Sequence, residues 1–169
     1  VLAEVMYFTA DRVKEICTLK VRSINFQDGL LTIEKASTKT KETRQVPLPR
    51  TVLEHLRSWI HSKELGPDDY IFYTDSKNTS YRPGEKAIST QSVDQFFRKT
   101  FDWIGVTGAS THSFRRTRLT YLHLVEKWSL AEIMDISGHK NLLSLQQYLD
   151  TDRKVTFEKY RDLFAKEGV

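Results

Sequence analysis

The sequence predicts an α+β fold: a mainly helical body carrying a small three-stranded antiparallel sheet. Three observations lead there. Apolar residues recur at helical spacing over long stretches, as in Val93, Phe96, Phe97, Phe101 and Ile104. Asp28-Gly29 lies between two short apolar stretches, residues 21–26 and 30–35, a strong signal for a two-residue hairpin turn. A third strand-like stretch, residues 45–48, follows a polar, basic turn and completes the sheet.

Taken in order, residues 1–8 read as the last turns of a helix. Thr9 is placed to cap a second helix to Leu19, with Val13, Ile16, Cys17 and Leu19 as its apolar stripe. After the three strands, Thr51-Val52-Leu53-Glu54 has the capping-box pattern and opens a helix to about Ser62. Residues 63–88 read as irregular, with a short strand near 70–73 and a loop at Pro83-Gly84. A helix over 90–104 is stopped by Gly105, and another covers 112–127. Ser129-Leu130-Ala131-Glu132 is a second capping box, opening a short helix that ends at Gly138. Asn141 is expected to cap the helix carrying Tyr148, and residues 155–165 form a last amphipathic segment. The whole reads as one domain over residues 1–169, with a C-terminal tail from about 152.

Composition narrows the class. A chain of 169 residues with 39% hydrophobic and 28% charged residues reads as soluble and globular, long enough for a sizeable core. The apolar runs are too short to span a bilayer, and no basic-then-apolar leader opens the chain, so a cytoplasmic protein without a membrane partner is expected. Cys17 is the one cysteine, which rules out an internal disulfide and a cysteine metal cluster. The net charge of +4 permits a polyanionic partner without requiring one. Placement says more. Lys35, Lys39, Lys41 and Arg44 lie close together, and Arg115, Arg116 and Arg118 form a second cluster with no acid among them.

No phosphate-cradling glycine loop, paired cysteines or HExxH appears, and no acidic cluster suggests a two-metal nuclease. What remains is Arg12, Lys39, His112, Arg115, His139 and Tyr148. Together these side chains supply what phosphodiester cleavage without a metal or other cofactor needs. Fixed cations must meet the non-bridging oxygens of the phosphorane, and the planar, always-charged guanidinium suits them. The leaving 5′-oxygen needs a proton, from lysine or histidine. A tyrosine nucleophile conserves the bond as a covalent ester, so resealing needs no nucleotide. Taken singly, each residue has an ordinary reading: Tyr148 as a core aromatic, Arg12 as a surface cation, His139 as a helix C-terminal cation, Lys39 as a solvated turn residue.

Spacing joins them. His112-Ser113-Phe114-Arg115 is an H-x-x-R box; Gly138-His139 precedes Tyr148, nine residues beyond His139; and Thr9-Ala10-Asp11-Arg12 with Glu15 resembles a T-G-x-R-x-x-E box. In order and spacing the chain resembles the tyrosine recombinase (phage integrase) family over nearly its whole length. The resemblance implies that Arg12 and Arg115 hold the scissile phosphate, that His112 bonds it and accepts the proton of Tyr148, and that His139 donates a further hydrogen bond. It implies Glu15 as support behind them. It also places the general acid in the hairpin, eight residues before the proline ending the third strand, which is Lys39 before Pro47, with Lys35 and Lys41 as close rivals. Lys35, Lys41, Arg44, Arg116 and Arg118 are expected to track DNA phosphates.

The implied partner is double-stranded DNA, with four protomers on two duplexes during recombination. A separate N-terminal DNA-clamping domain, usual in the family, is not found in these residues. Four departures from the family pattern stand out: Ala10 for glycine, Asp11 for an apolar or small residue, Arg116 for a second histidine, and Ser137 for leucine before Gly-His. Rival readings are a type IB topoisomerase or telomere resolvase, separated by product topology; an inactive DNA-binding module of the same fold, separated by Tyr148→Phe; and a helix-turn-helix regulator, which requires an exposed recognition helix near 129–149.

Overall fold

The computed structural model describes residues 1–34, 42–75, 80–149 and 153–167. Among these it has eight α-helices and one three-stranded antiparallel sheet. Helix α1 (Leu2–Thr9) ends where Ala10 takes a left-handed conformation, φ 52°. The Thr9 hydroxyl donates back to the Val5 carbonyl (2.8 Å) and accepts the Asp11 N–H (3.2 Å). Thr9 therefore closes α1 instead of capping the next helix. That helix, α2 (Val13–Cys17), begins beyond Arg12, and the Glu15 carboxylate accepts the Arg12 N–H at 3.0 Å.

A 3-10 turn (Val21–Ser23) takes the first half of the expected first strand, leaving β1 (Ile24–Asn25). With β2 (Leu30–Ile33) and β3 (Arg44–Pro47) it makes the order β1-β2-β3, Ile24 facing Leu31 and Leu31 facing Val46. The first turn is wider than the two residues expected. The Asn25 side-chain oxygen accepts the N–H groups of Gln27 (3.0 Å) and Asp28 (3.1 Å), and Gly29 supplies a φ of 68°. An asparagine that satisfies the turn's own N–H groups favours this longer loop.

Helix α3 (Arg50–Ser62) starts two residues early, with Pro49 and not Thr51 at its N-cap, because Pro49 presets the backbone and no side-chain cap is used. The 70–73 stretch makes only isolated bridges, Lys20 to Tyr70 and Tyr73 to Ala87. Helix α4 (Thr90–Trp103) is capped by Ser89, which accepts the Ser92 N–H at 3.0 Å. Helix α5 (Thr111–Leu124) stops short of 127, and Lys127 turns the chain with φ 61°. Helix α6 (Leu130–Ser137) shows the Ser129–Glu132 box and a left-handed Gly138. Asn141 caps α7 (Leu142–Gln146), but Tyr148 lies two residues beyond that helix, its N–H on the Leu145 carbonyl (2.8 Å). Helix α8 (Arg153–Glu167) completes the described chain. No helix of the described residues is long and apolar enough to cross a membrane.

The apolar interior forms two clusters. The larger gathers Val5, Met6 and Ile16 with sheet residues Leu31, Ile33 and Val46, with Val52 and Leu56 of α3, and with Val93 and Phe97 of α4. The smaller holds Ala10, Leu119, Leu122, Ile133 and Leu145, with Tyr148 packed against it. Helix α5 belongs to both: Phe114 packs on the first and Leu119 lies in the second. Arg115 therefore stands on the seam between them.

Candidate active site

Arg115 is 1% exposed. Its guanidinium donates to the Ala10 carbonyl through Nη1 and to the Ser137 carbonyl through Nη2 (3.1 Å). Those are carbonyls at the C-terminal ends of α1 and α6, where helices leave acceptors unfilled and carry partial negative charge. The same Nη2 lies 3.0 Å from Nε2 of His139, and the guanidinium carbon is 5.3 Å from the centre of the Tyr148 ring. Burial, and then the charge of Arg12, push the Arg115 pKa down to about 10, so it stays cationic at neutral pH.

His139 is buried and its ring centre is 5.3 Å from that of Tyr148. Burial first, then Arg115, Arg12 and Arg44, drive its pKa down to about 3, so the ring is neutral. The Ser137 hydroxyl lies 2.5 Å from the Ile133 carbonyl and 2.6 Å from His139 Nδ1. A carbonyl can only accept, so the single hydroxyl proton goes there and Nδ1 must donate to the oxygen. Arg115 Nη2 stands 3.2 Å from Nδ1 and 3.0 Å from Nε2, and with Nδ1 donating to the serine the lone pair left for the arginine is that of Nε2.

Arg12 is half-buried. Its Nη1 reaches Glu15 Oε1 at 3.5 Å, and Glu15 itself is 1% exposed. Arg44 bridges Glu15 Oε2 (3.1 Å) and the buried Asp11 carboxylate. Burial raises the Asp11 pKa to about 6, Glu15 adding to the effect and Arg44 opposing it. Tyr148 is half-buried, and its backbone carbonyl accepts from the Thr120 hydroxyl at 3.0 Å, tying the tyrosine to the helix that carries Arg115.

The structure thus brings Arg12, Glu15, Arg115, His139 and Tyr148 to one seam. His112 stands exposed in the first turn of α5, while Arg115, one turn on, is buried. Arg116 is exposed on α5. Arg118 packs its guanidinium 5.4–5.6 Å from the ring centres of Phe8, Tyr7 and Tyr121. The guanidinium of Arg44 faces inward, not toward solvent. Lys35, Lys39 and Lys41 lie outside the described residues. Sequence reasoning did not assign Asp11, Thr120 or Ser137 to the site. Asp11 and Ser137 were visible as departures from the family pattern; Thr120 gave no signal.

Residues 1–154 match the model of the Phage integrase family. The chain belongs to that family. A tyrosine recombinase of Pseudothermotoga lettingae is 28% identical over 167 residues, which is 98% of this chain and 54% of that protein. The tyrosine recombinase XerA of Pyrococcus furiosus is 26% identical over 144 residues, 85% of this chain and 46% of that one. The chain therefore spans about half the length of the curated relatives it matches. Among solved structures, XerA recombinase superposes with a TM-score of 0.75 at 21% identity, covering 94% of this chain and 54% of that one. XerH recombinase bound to difH in a post-cleavage complex gives 0.72 at 20% identity, covering 94% and 43%. The helical body with its small sheet is thus the phage integrase catalytic fold.

Proposed function

We propose that this chain is the catalytic domain of a site-specific DNA recombinase that cuts and rejoins strands through a 3′-phosphotyrosyl bond on Tyr148. The observation that carries the reading is the convergence of Arg115, His139 and the Tyr148 ring, each within about 5 Å of the next, beside Arg12. In that arrangement Arg12 and Arg115 stabilise the pentavalent phosphorus by charge. The Tyr148 oxygen attacks phosphorus, its proton passing to His112 as general base. The bond to the 5′-oxygen breaks, and that oxygen takes a proton from a lysine of residues 35–41, Lys39 first among them. The freed 5′-hydroxyl of a partner strand then attacks the phosphotyrosine and restores Tyr148. No metal ion or nucleotide enters this sequence.

Double-stranded DNA is the substrate in this reading; the XerH structure holds a difH substrate and the Tn1549 integrase structure transposon right end DNA, and this chain shares their fold. Exposed Arg116, with Lys35 and Lys41, would add salt-sensitive phosphate contacts. Recombination between two duplexes calls for four protomers, in the compartment that holds the DNA.

The test is to incubate the protein with nicked duplex DNA in the presence of a chelator and to map any covalent adduct by mass spectrometry. An adduct on Tyr148, absent from Tyr148→Phe while that variant still binds DNA, is the expected result. Loss of neither cleavage nor binding in Tyr148→Phe overturns the assignment. A wild-type protein that binds its element's DNA and never forms an adduct is an inactive module of the same fold.

A further inference from the structure

Arg44 was expected to reach outward to DNA. Instead its side chain is 12% exposed, against 0% for Asp11 and 1% for Glu15, the two carboxylates it bridges. Its other side lies on Gly138: a Cβ there would come within 2.8 Å of Nη1 and 3.1 Å of Cζ. The guanidinium therefore fills a slot between the turn that carries Arg12 and the turn that carries His139. It hangs from β3, the strand that leads out of residues 35–41.

Charge explains what the slot is for. The cluster holds three arginines, half-buried Arg12 with Arg44 and Arg115, and two buried carboxylates, Asp11 and Glu15, an excess of one positive charge. Take Arg44 away and the excess is gone, with Asp11 left buried and unpaired among the described residues. Glu15, freed of Arg44, would then claim Arg12, which it already contacts. As the site stands, Glu15 holds the Arg12 guanidinium by one contact at 3.5 Å, while Arg44 takes the shorter contact at 3.1 Å. Arg12, 24% exposed, is left able to turn to an incoming anion.

We propose that Arg44 is a positioning residue for strand cleavage: by neutralising Asp11 and Glu15 it keeps Arg12 available to the scissile phosphate. This rests on the recombinase reading above. Arg44 touches no reacting atom, and its effect passes through Arg12. Asp11 belongs to the same device, since a carboxylate in the arginine box is acceptable there only with a cation laid against it.

The experiment measures single-turnover formation of the Tyr148 adduct on nicked duplex DNA at saturating DNA, in the full-length protein. Arg44→Gln is expected to slow it by about 100-fold, the scale for losing one fixed charge contribution at such a site. The paired change Asp11→Asn with Arg44→Gln leaves Arg12 and Arg115 against Glu15, the same excess of one positive charge. It is expected to return to within about tenfold of wild type, because the charge balance is restored. A wild-type rate in Arg44→Gln overturns the proposal. So does a double variant still about 100-fold slow, which would mean that the guanidinium itself is needed. The double variant carries no unpaired buried carboxylate, so it decides between these outcomes even where Arg44→Gln alone does not fold.

A second readout separates this proposal from the function it rests on. Inorganic vanadate, followed by vanadium NMR in the Tyr148→Phe background, reports the anion site without any cleavage. Binding weakened by Arg44→Gln and recovered in the double variant supports the shielding role even if the wild type never forms an adduct. Equal affinities, or no binding to the Tyr148→Phe parent, overturn it.

Discussion

The Ser137 hydroxyl holds Nδ1 of His139 at 2.6 Å while donating its own proton to the Ile133 carbonyl. One side chain, placed where the family usually has leucine, thus decides which nitrogen of the histidine carries hydrogen. Ser137→Ala removes that acceptor from a buried N–H, a loss worth about 1–3 kcal/mol. We expect a lower melting temperature and a shift of the imidazole nitrogen resonances from the Nδ1–H tautomer to a mixture. Unchanged nitrogen shifts would show that the tautomer is set elsewhere.

His139 also sets a pH dependence. Its folded pKa, about 3, lies below its ordinary value of 6.5. The unfolded chain therefore binds the proton first, and the stability of the neutral, buried ring is fully present above about pH 6.5 and lost as pH falls toward 3. His139→Gln should flatten the loss of melting temperature between pH 6.5 and 4. Nitrogen NMR of the wild type should find a neutral ring throughout pH 5–8. A His139 that titrates near 6.5 would contradict the burial described here.

Asp11 acts in the opposite sense. Its folded pKa is raised from 3.8 to about 6, so the folded protein holds the proton more tightly than the unfolded chain. Its contribution is fully present below pH 3.8 and lost as pH rises through 6. Asp11→Asn, which leaves Arg44 paired with Glu15, should match wild type near pH 4 and gain on it steadily up to about pH 7. Melting curves across that range read the difference directly; a gain that shrinks with rising pH would reverse the sign.

Two left-handed turns respond differently to one methyl group. At Ala10, relief of left-handed strain by glycine is worth about 1–2 kcal/mol, set against about 0.5–1 for glycine's entropy and about 0.8 for the buried methyl. Ala10→Gly should therefore fall within about 1 kcal/mol of wild type, while Ala10→Val, a β-branched residue at positive φ, should cost several times more. Gly138→Ala adds a Cβ 2.8 Å from Arg44 Nη1 at a φ of 67°. It should lower both stability and adduct formation. Urea titrations of all three variants test these values.

The elements that local sequence controls were legible. Ser129 with Glu132 and Asn141 cap the helices expected of them, and the three strands pair in the expected order. The misreadings came from side chains that bond their own backbone. Asn25 widens the first turn, and Thr9 closes one helix instead of opening the next. Motif spacing singled out Arg12, Glu15, Arg115, His139 and Tyr148, which the fold brings to one seam. It could not find the inward turn of Arg44, because that depends on Asp11, thirty-three residues away in the chain. Nor could it place Tyr148 outside the helix before it.

Arg115 is the fastener that closes α1 and α6 onto α5, through the Ala10 and Ser137 carbonyls. A residue so employed cannot be sacrificed lightly. Its removal would leave two helix ends and a neutral histidine without their donor, so under the recombinase reading a lineage that lost activity through Arg115 would give up part of its architecture as well. Tyr148→Phe asks for a single hydroxyl. A silent but intact form of this protein is therefore reached through the tyrosine, and the arginine should persist even where the chemistry has gone.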